Sequence, residues 1–206
     1  TPQEIENTVQ EMTMTRDRSF TFTIDRGTYN DTQMSNAAGA ALQRQIREVV
    51  VPEIDKYRFG KICEGAKTTV TGKVTKANAY DAFLTGATTL IENNVPLVGS
   101  CAFVSSDFYK NIKEDSSFIR NGDMSQEILI KGQVGTIDGI PLIVVPKSYF
   151  PENVEFIITN QAATTSPVKL SEYKIHDNPP GINGWLVEGR VYYDAFVLEN
   201  KKSAIY

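Results

Sequence analysis

The stretch GQVGTIDGIPLIVVP, residues 132–146, sets three glycines ahead of an apolar run and closes the run with proline. Glycines so placed can cradle a phosphate or turn a chain, and the two readings lead to different proteins. A phosphate loop needs its glycines to open onto a helix and usually carries GK[ST]. Neither follows here. Asp138-Gly139, flanked by Ile137 and Ile140, is a two-residue hairpin signal, because a type I′ turn needs positive φ at both central residues. Gly132 and Gly135 fit bulges or bends in the incoming strand. Ile140 to Val145 reads as a strand buried on both faces, ended by Pro146.

Outward from this hairpin, strand-period and helix-period segments both occur, which predicts an α+β fold. Residues 12–25, MTMTRDRSFTFTID, alternate with period two, placing Met14, Arg16, Arg18, Phe20, Phe22 and Ile24 on one face. That predicts a strand covered at its Ile24 end, with the Arg16 and Arg18 end projecting beyond the core. Residues 33–59 carry the longest helical pattern, with Met34, Ala38, Leu42, Ile46 and Val49 or Val50 as a thin apolar stripe. Asp31 and Thr32 supply cap oxygens, and Pro52 is expected to kink or break the helix. Residues 64–76 read as a crossover between two lobes. Residues 78–92 form a clean amphipathic helix with Tyr80, Phe83, Leu84, Ala87, Leu90 and Ile91 on its apolar face. PLVGSCAFVS follows as a buried strand. Ser105 or Ser106 then caps a short helix that turns Phe108, Tyr109 and Ile112 inward.

Beyond the hairpin, VEFIITN is a strand and QAATTSP a linker-like loop. VKLSEYKIHD is a strand whose apolar phase slips between Leu170 and Tyr173, predicting a bulge there. NPPGING is a turn. WLVEGRVYYDAFVLEN reads as one closing strand with Trp185, Val187, Val191, Tyr193, Ala195 and Val197 on its better-buried face. Unbroken, it would span roughly 50 Å, long enough to run from one lobe into another.

The 206 residues, 41% hydrophobic, suffice for a real core in one domain or two small ones. The net charge of −4 and the lack of a basic stretch argue against a nucleic-acid binder. Two isolated cysteines, Cys63 and Cys101, make neither a disulfide framework nor a zinc motif and suit a reducing compartment. No apolar run approaches the roughly 18 residues of a membrane span, and no signal peptide opens the chain. Thr1 in place of Met suggests a piece trimmed from something longer.

Catalytic parts are scarce. His176, the one histidine, would have to serve any Ser-His-Asp or Cys-His arrangement; its plain reading is a loop histidine with a local hydrogen bond. Cys63 is expected half exposed after the long helix, and Cys101 packed in a strand. Glu53 and Asp55 diverge on a helix and read as a solvated or salt-bridged end rather than a hydrolytic pair. HxxxH, CxxC and DxDxDG are all missing. Asn30-Asp31-Thr32 matches a glycosylation acceptor without secretion to give it meaning. Tyr192, Tyr193 and Phe196 suit core and interface better than base stacking. No catalytic, cofactor-binding or metal-ligating residue is assigned, and no cofactor. Long one-sided elements that want partners favour an assembly subunit over an enzyme.

The ordered set RSFTFTIDR, VPEIDKYRFGKI, LTGATTLIENNVP, FVSSDFYKNI, GQVGTIDGIPLIVVP and VEGRVYYDAFVL resembles the major capsid protein of tailed bacteriophages, from about residue 13 to the end. The shell fold is of the Hong Kong 97 type, in the version common in phages and prophages of Gram-positive bacteria. The resemblance implies a peripheral domain at 1–60 and 163–190, with the returning strand of an extended loop ending at Asp25 and Arg26, a spine helix at 33–59 and a long hairpin. It implies an axial domain at 61–162 and 191–206, a central sheet flanked by helices. It further implies self-assembly into pentamers and hexamers of an icosahedral head. The partners implied are copies of the chain itself, a scaffolding protein, a portal and packaged DNA held by non-specific proximity, with no membrane. The place implied is a virion assembled in the host cytoplasm. The family's N-terminal arm and outgoing loop strand have no counterpart, so the resemblance marks the chain as N-terminally truncated. Two other readings stay open: an encapsulin-like compartment shell, and a small cytosolic hydrolase using His176 or Cys63.

Overall fold

The computed structural model describes residues 9–31, 37–115 and 133–206; Thr32, Met34 and Gly132 lie outside the described residues. In chain order the elements are β1 (Arg16–Asp25), α1 (Arg26–Asp31), α2 (Ala38–Gln45), a π turn (Ile46–Val50) and α3 (Val51–Gly65). After an irregular crossover come α4 (Ala79–Glu92), β2 (Ser100–Ser105), α5 (Ser106–Glu114), β3 (Gln133–Ile137), β4 (Ile140–Val145) and β5 (Phe156–Asn160). The chain ends with β6 (Thr164–Thr165), β7 (Val168–Asp177), β8 (Gly184–Tyr193), β9 (Phe196–Val197) and a 3-10 turn. The fold class is α+β.

The hairpin at residues 138–139 forms as its residues demand. Asp138 and Gly139 have φ of 49° and 80°, and Ile137 pairs with Ile140 across the turn. The register shifts between Gln133 and Gly135, the bulge expected at that glycine. This hairpin makes one side of a four-stranded sheet ordered β3-β4-β2-β5. β4 runs parallel to β2, and β2 antiparallel to β5. Pro141 costs no ladder bond to β2, whose pairing begins one residue later at Leu142.

Alternation along these strands sorts side chains into two cores. Ala102, Val104, Ile140, Leu142 and Ile158 face α4 and α5, against Phe83, Leu90 and Phe108. Phe103, Ile143, Val145 and Ile157 face the far end of α3, where Phe59 sits 5.1 Å from both Phe103 and Phe150. Ser105 is the residue that caps α5, accepting the Phe108 N–H at 3.0 Å. The last residues rejoin this sheet: Tyr206 and Ile158 exchange two backbone hydrogen bonds of 2.9 Å.

A second, three-stranded sheet is ordered β1-β8-β7, all antiparallel. Its middle strand carries Gly189, directly opposite Phe20 on β1 and Tyr173 on β7. The two rings, 6.2 Å apart, close over the space a side chain would fill. β1 is covered at its Ile24 end, as the alternation predicts. The arginine end is exposed, as expected, yet its side chains are not left to solvent alone. Arg18 forms an ion pair with Glu53 at 2.5 Å, and the Arg16 guanidinium lies 4.3 Å from the Tyr57 ring centre, both on α3. Arginines read as solvent-bound find partners that only the tertiary fold brings near.

α2, the π turn and α3 form one helical run from Ala38 to Gly65, longer at its C-terminus than the 33–59 span and starting later, with Ala37 in extended dihedrals as its N-cap. Ala37 makes no side-chain cap bond, the cap expected from Thr32 and the Asp31 side chain falls outside the described residues, and Asp25 caps α1, accepting the Gly27 N–H at 2.8 Å. Pro52 does not break the run. Val51 donates to Ile46, five residues back, and the backbone stays helical through Val50 and Val51. The wider turn gives the proline ring room against the preceding turn, where a plain α-helix would clash.

Four further expectations are corrected. The β7 bulge falls between Val168 and Leu170, two residues earlier than the apolar slip placed it. Ile91 and Val98 are exposed rather than packed. The closing strand stops at Tyr193, because Asp194 leaves the ladder to bind backbone and side-chain donors of its own. QAATTSP is only partly a loop, since Thr164–Thr165 pairs with Phe196–Val197.

A Cβ on Gly189 would lie 2.6 Å from Phe20 and 2.7 Å from Tyr173. Gly189→Val should therefore destabilise the fold by about 1–3 kcal/mol through overpacking. A urea titration followed by tyrosine and tryptophan fluorescence checks this, and the double variant Gly189→Val with Phe20→Ala should recover part of the loss.

Candidate functional site

The residues with chemical potential do not converge. His176 lies on β7, not in a loop, and its Nε2 meets Glu188 Oε1 at 2.8 Å on the open face of the three-stranded sheet. Glu53 and Asp55 point to different partners, Arg18 and Arg58. Cys63 lies inside α3, not after it, where burial and then Glu64 push its thiol up to about 11. Burial also raises the Cys101 thiol. Both thiols are thus held in the protonated form at neutral pH, the opposite of what a nucleophile needs. Among the described residues, no three His, Cys, Asp or Glu side chains gather into a metal site. Among them, too, no helix is long and apolar enough to cross a membrane. The acceptor motif at Asn30-Asp31-Thr32 runs into the undescribed segment and has no structural reading.

What the fold does build is a junction that the sequence reading missed. Asp194 is 2% exposed, at the corner where β8 leaves its sheet. Its Oδ2 accepts the Thr15 N–H at 2.7 Å and the Thr15 hydroxyl at 3.1 Å. Its Oδ1 accepts the Tyr57 hydroxyl at 2.7 Å and the Ala195 N–H at 2.8 Å. Burial pushes this carboxyl up, but the donors from Tyr57, Ala195 and Thr15 outweigh burial and hold it below the ordinary aspartate value. One side chain thereby joins the strand entering β1, the middle of α3 and the β8–β9 corner. Tyr57 also packs edge-on against buried Tyr193, at 5.8 Å and 86°. Gln10 adds a second tie, with its side-chain amide bonding Val197 O at 3.4 Å and the Glu199 N–H at 3.0 Å. The signal was visible as a lone acid in the apolar run VYYDAFVL, where period two alone gave it no partner.

Tyr192 and Tyr193 serve this junction rather than a stacking platform. Tyr193 is buried, and the Tyr192 hydroxyl donates to Met14 O at 2.9 Å. The outer face of the three-stranded sheet, by contrast, is a mosaic of charges. Arg190 grips both Asp17 oxygens at 2.9 and 2.5 Å, with Glu172, Lys174, His176 and Glu188 around it. Both edge strands of that sheet, β1 and β7, are unpaired on their outer sides among the described residues.

This arrangement, two sheets joined by one long helix, recurs in solved shells of viruses. The backbone superposes on the capsid of Cyanophage P-SCSP1u with a TM-score of 0.64, covering 100% of this chain and 79% of that one at 12% identity. It matches Mycobacterium phage Che8 with a TM-score of 0.61, over 92% of this chain and 69% of that one, also at 12% identity. The chain has a Hong Kong 97-like capsid fold. A virus-like particle from Pyrococcus furiosus shares it, with a TM-score of 0.57 over 92% of this chain and 75% of that one at 12% identity. No protein-family model and no curated protein sequence matches the chain. At such identity the capsid fold is carried by backbone course rather than by shared side chains, so the Asp194 junction is read from this chain alone.

Replacing Asp194 with Asn puts an N–H₂ against one of the donor groups that the carboxylate now accepts. Asp194→Asn should cost about 2–3 kcal/mol at pH 7, the scale of hydrogen bonds to a charged group. The aspartate's folded pKa lies below 3.8, so its stabilisation is complete above the unfolded value and is lost as pH falls through the folded one. The stability gap between wild type and variant should therefore hold from pH 7 to about 5 and close below that. Urea melts across pH 2.5–7 measure it.

Proposed function

We propose that the chain is a structural shell subunit, a major capsid protein that associates with copies of itself into pentamers and hexamers of an icosahedral phage head enclosing DNA. The single observation behind this reading is the match of its whole described architecture to capsid structures, covering 92–100% of the chain in two phage heads. The physical character of the surface agrees. Among the described residues, a three-stranded sheet with two unpaired edges and a helical run in which only Leu42 and Phe59 are buried leave much backbone facing outward. Such elements are stable in a tile that lies among neighbours.

In this reading, residues 1–60 and 163–190 form the peripheral domain and residues 61–162 and 191–206 the axial domain. The boundaries cut α3 and β8, the two elements that run between the sheets. The protein resides in the virion, assembles in the cytoplasm of a bacterial host, and meets a scaffolding protein and a portal there. The Gram-positive host rests on the ordered set of sequence segments, VPEIDKYRF and GQVGTIDGIPLIVVP above all. The chain is not an enzyme in this reading. Its thiols are pushed away from the reactive form, and His176 is bound to Glu188 on an open strand face. An encapsulin-like compartment would use the same tile, and its contents would tell it apart.

Expressed from its complete reading frame and examined by light scattering and negative-stain microscopy, the product should give rings of five or six copies or closed shells. A monomer at every reachable concentration would overturn the reading. Nuclease-protected DNA inside the shells marks a virion, and protein cargo without DNA marks a compartment.

A further inference from the structure

The turn between β7 and β8 leaves two amides unengaged side by side. The Arg26 N–H donates to Asn183 O at 3.0 Å, so Asp25 and Gly184 form a non-hydrogen-bonded pair of the β1–β8 ladder. The Gly184 N–H and C=O therefore point away from β1, toward β7. There the C=O accepts the Asn178 N–H at 2.8 Å. The return bond to Asn178 O is not made, and among the described residues the Gly184 N–H has no hydrogen-bond partner. Asn183 stands in an exposed bend just outside the ladder. Its side-chain amide makes no hydrogen bond among the described residues either. Other asparagines are tied down. Asn160 Nδ2 donates to Pro96 O at 3.0 Å and to Val98 O at 3.3 Å, and Asn78 Oδ1 accepts the Thr75 N–H at 2.6 Å.

Gly184 supplies the remaining condition. Its φ is 154°, and a Cβ there would run into Ile24 O. Only glycine fits, so no side chain shields the nitrogen. We propose that Asn183 is a site of spontaneous deamidation. The Gly184 nitrogen attacks Asn183 Cγ. An N–Cγ bond forms, the Cγ–Nδ2 bond breaks, and Nδ2 leaves as ammonia with the proton from Gly184 N. Water then opens the cyclic imide. Opening at Cγ leaves aspartate. Opening at the main-chain carbonyl leaves isoaspartate, whose backbone path is one atom longer. Either product adds a negative charge at the end of the sheet that already holds Asp25 and Asp177. Arg26 is engaged there, bonding Asp177 at 3.3 Å and Asn178 Oδ1 at 3.0 Å. The step needs only water and does not reverse by itself, so it records the age of the folded chain as charge. This inference stands apart from the shell reading, since it needs only the folded chain.

Timed incubation at pH 8 and 37 °C, followed by denaturation and tryptic peptide mapping by mass, tests it. The peptide Ile175–Arg190 should convert with time into two products of equal mass, each heavier than the parent by the exchange of NH₂ for OH. Asn178 lies in the same peptide but precedes proline, which has no N–H to attack with, and should stay intact. Asn121-Gly122, the other Asn-Gly pair, falls on a separate tryptic peptide. The rate in the folded chain should lie within about tenfold of that in the capped peptide Pro-Gly-Ile-Asn-Gly-Trp under the same conditions. A folded chain slower than that would mean that the fold protects the site, and the proposal falls. Asn183→Gln, whose longer side chain must close a larger ring, should keep the urea midpoint of wild type and form the products at least tenfold more slowly. Products that persist in this peptide of the variant would place the chemistry at another residue and overturn the assignment.

Discussion

A single buried carboxylate holds the two halves of this fold in register. Asp194 has four donors around its two oxygens, drawn from three separate stretches of chain. A carboxylate so buried is unfavourable unless every lone pair facing inward is matched. Here the matching donors are what force the N-terminal strand, the long helix and the closing strand to meet at one point. The break in the closing strand follows from the same demand. Asp194 cannot both continue the β8 ladder and satisfy Thr15 and Tyr57, so the chain turns there and passes to the second sheet.

From that junction the architecture divides naturally. On one side a four-stranded sheet is packed on both faces and needs no further cover. On the other a three-stranded sheet leans on the helix along one face and shows charges on its other. Gly189 lets Phe20 and Tyr173 meet over the middle strand, so the sheet closes on its own aromatics where a larger core is absent. A chain built this way has a firm lobe and an open one, which suits a tile better than a free-standing globule.

Much of this was legible in the residues. Asp138-Gly139 specified the hairpin because few residues tolerate positive φ twice in succession, and Ser105 capped α5 for an equally local reason. The alternation of β1 and the helical period of residues 79–92 fixed which faces turn inward. Legibility ended where distant segments decide. The partners of the exposed Arg16 and Arg18 were hidden, because nothing nearby in sequence announces Tyr57 and Glu53. Asp194 looked like an interruption in a strand, because its donors Thr15 and Tyr57 lie more than a hundred residues away.

The π turn at Ile46–Val50 carries a consequence for how such a chain can vary over time. By inserting one residue into the helical count, it turns everything after it by roughly 100° relative to an uninterrupted helix. α2 therefore meets β8 of the three-stranded sheet, while Phe59 on α3 packs against the four-stranded one. Trimming or adding a single codon there would rotate one lobe's anchor away from its seat while leaving each lobe locally sound. Drift in length is thus penalised within the rod, where every added residue turns the helix.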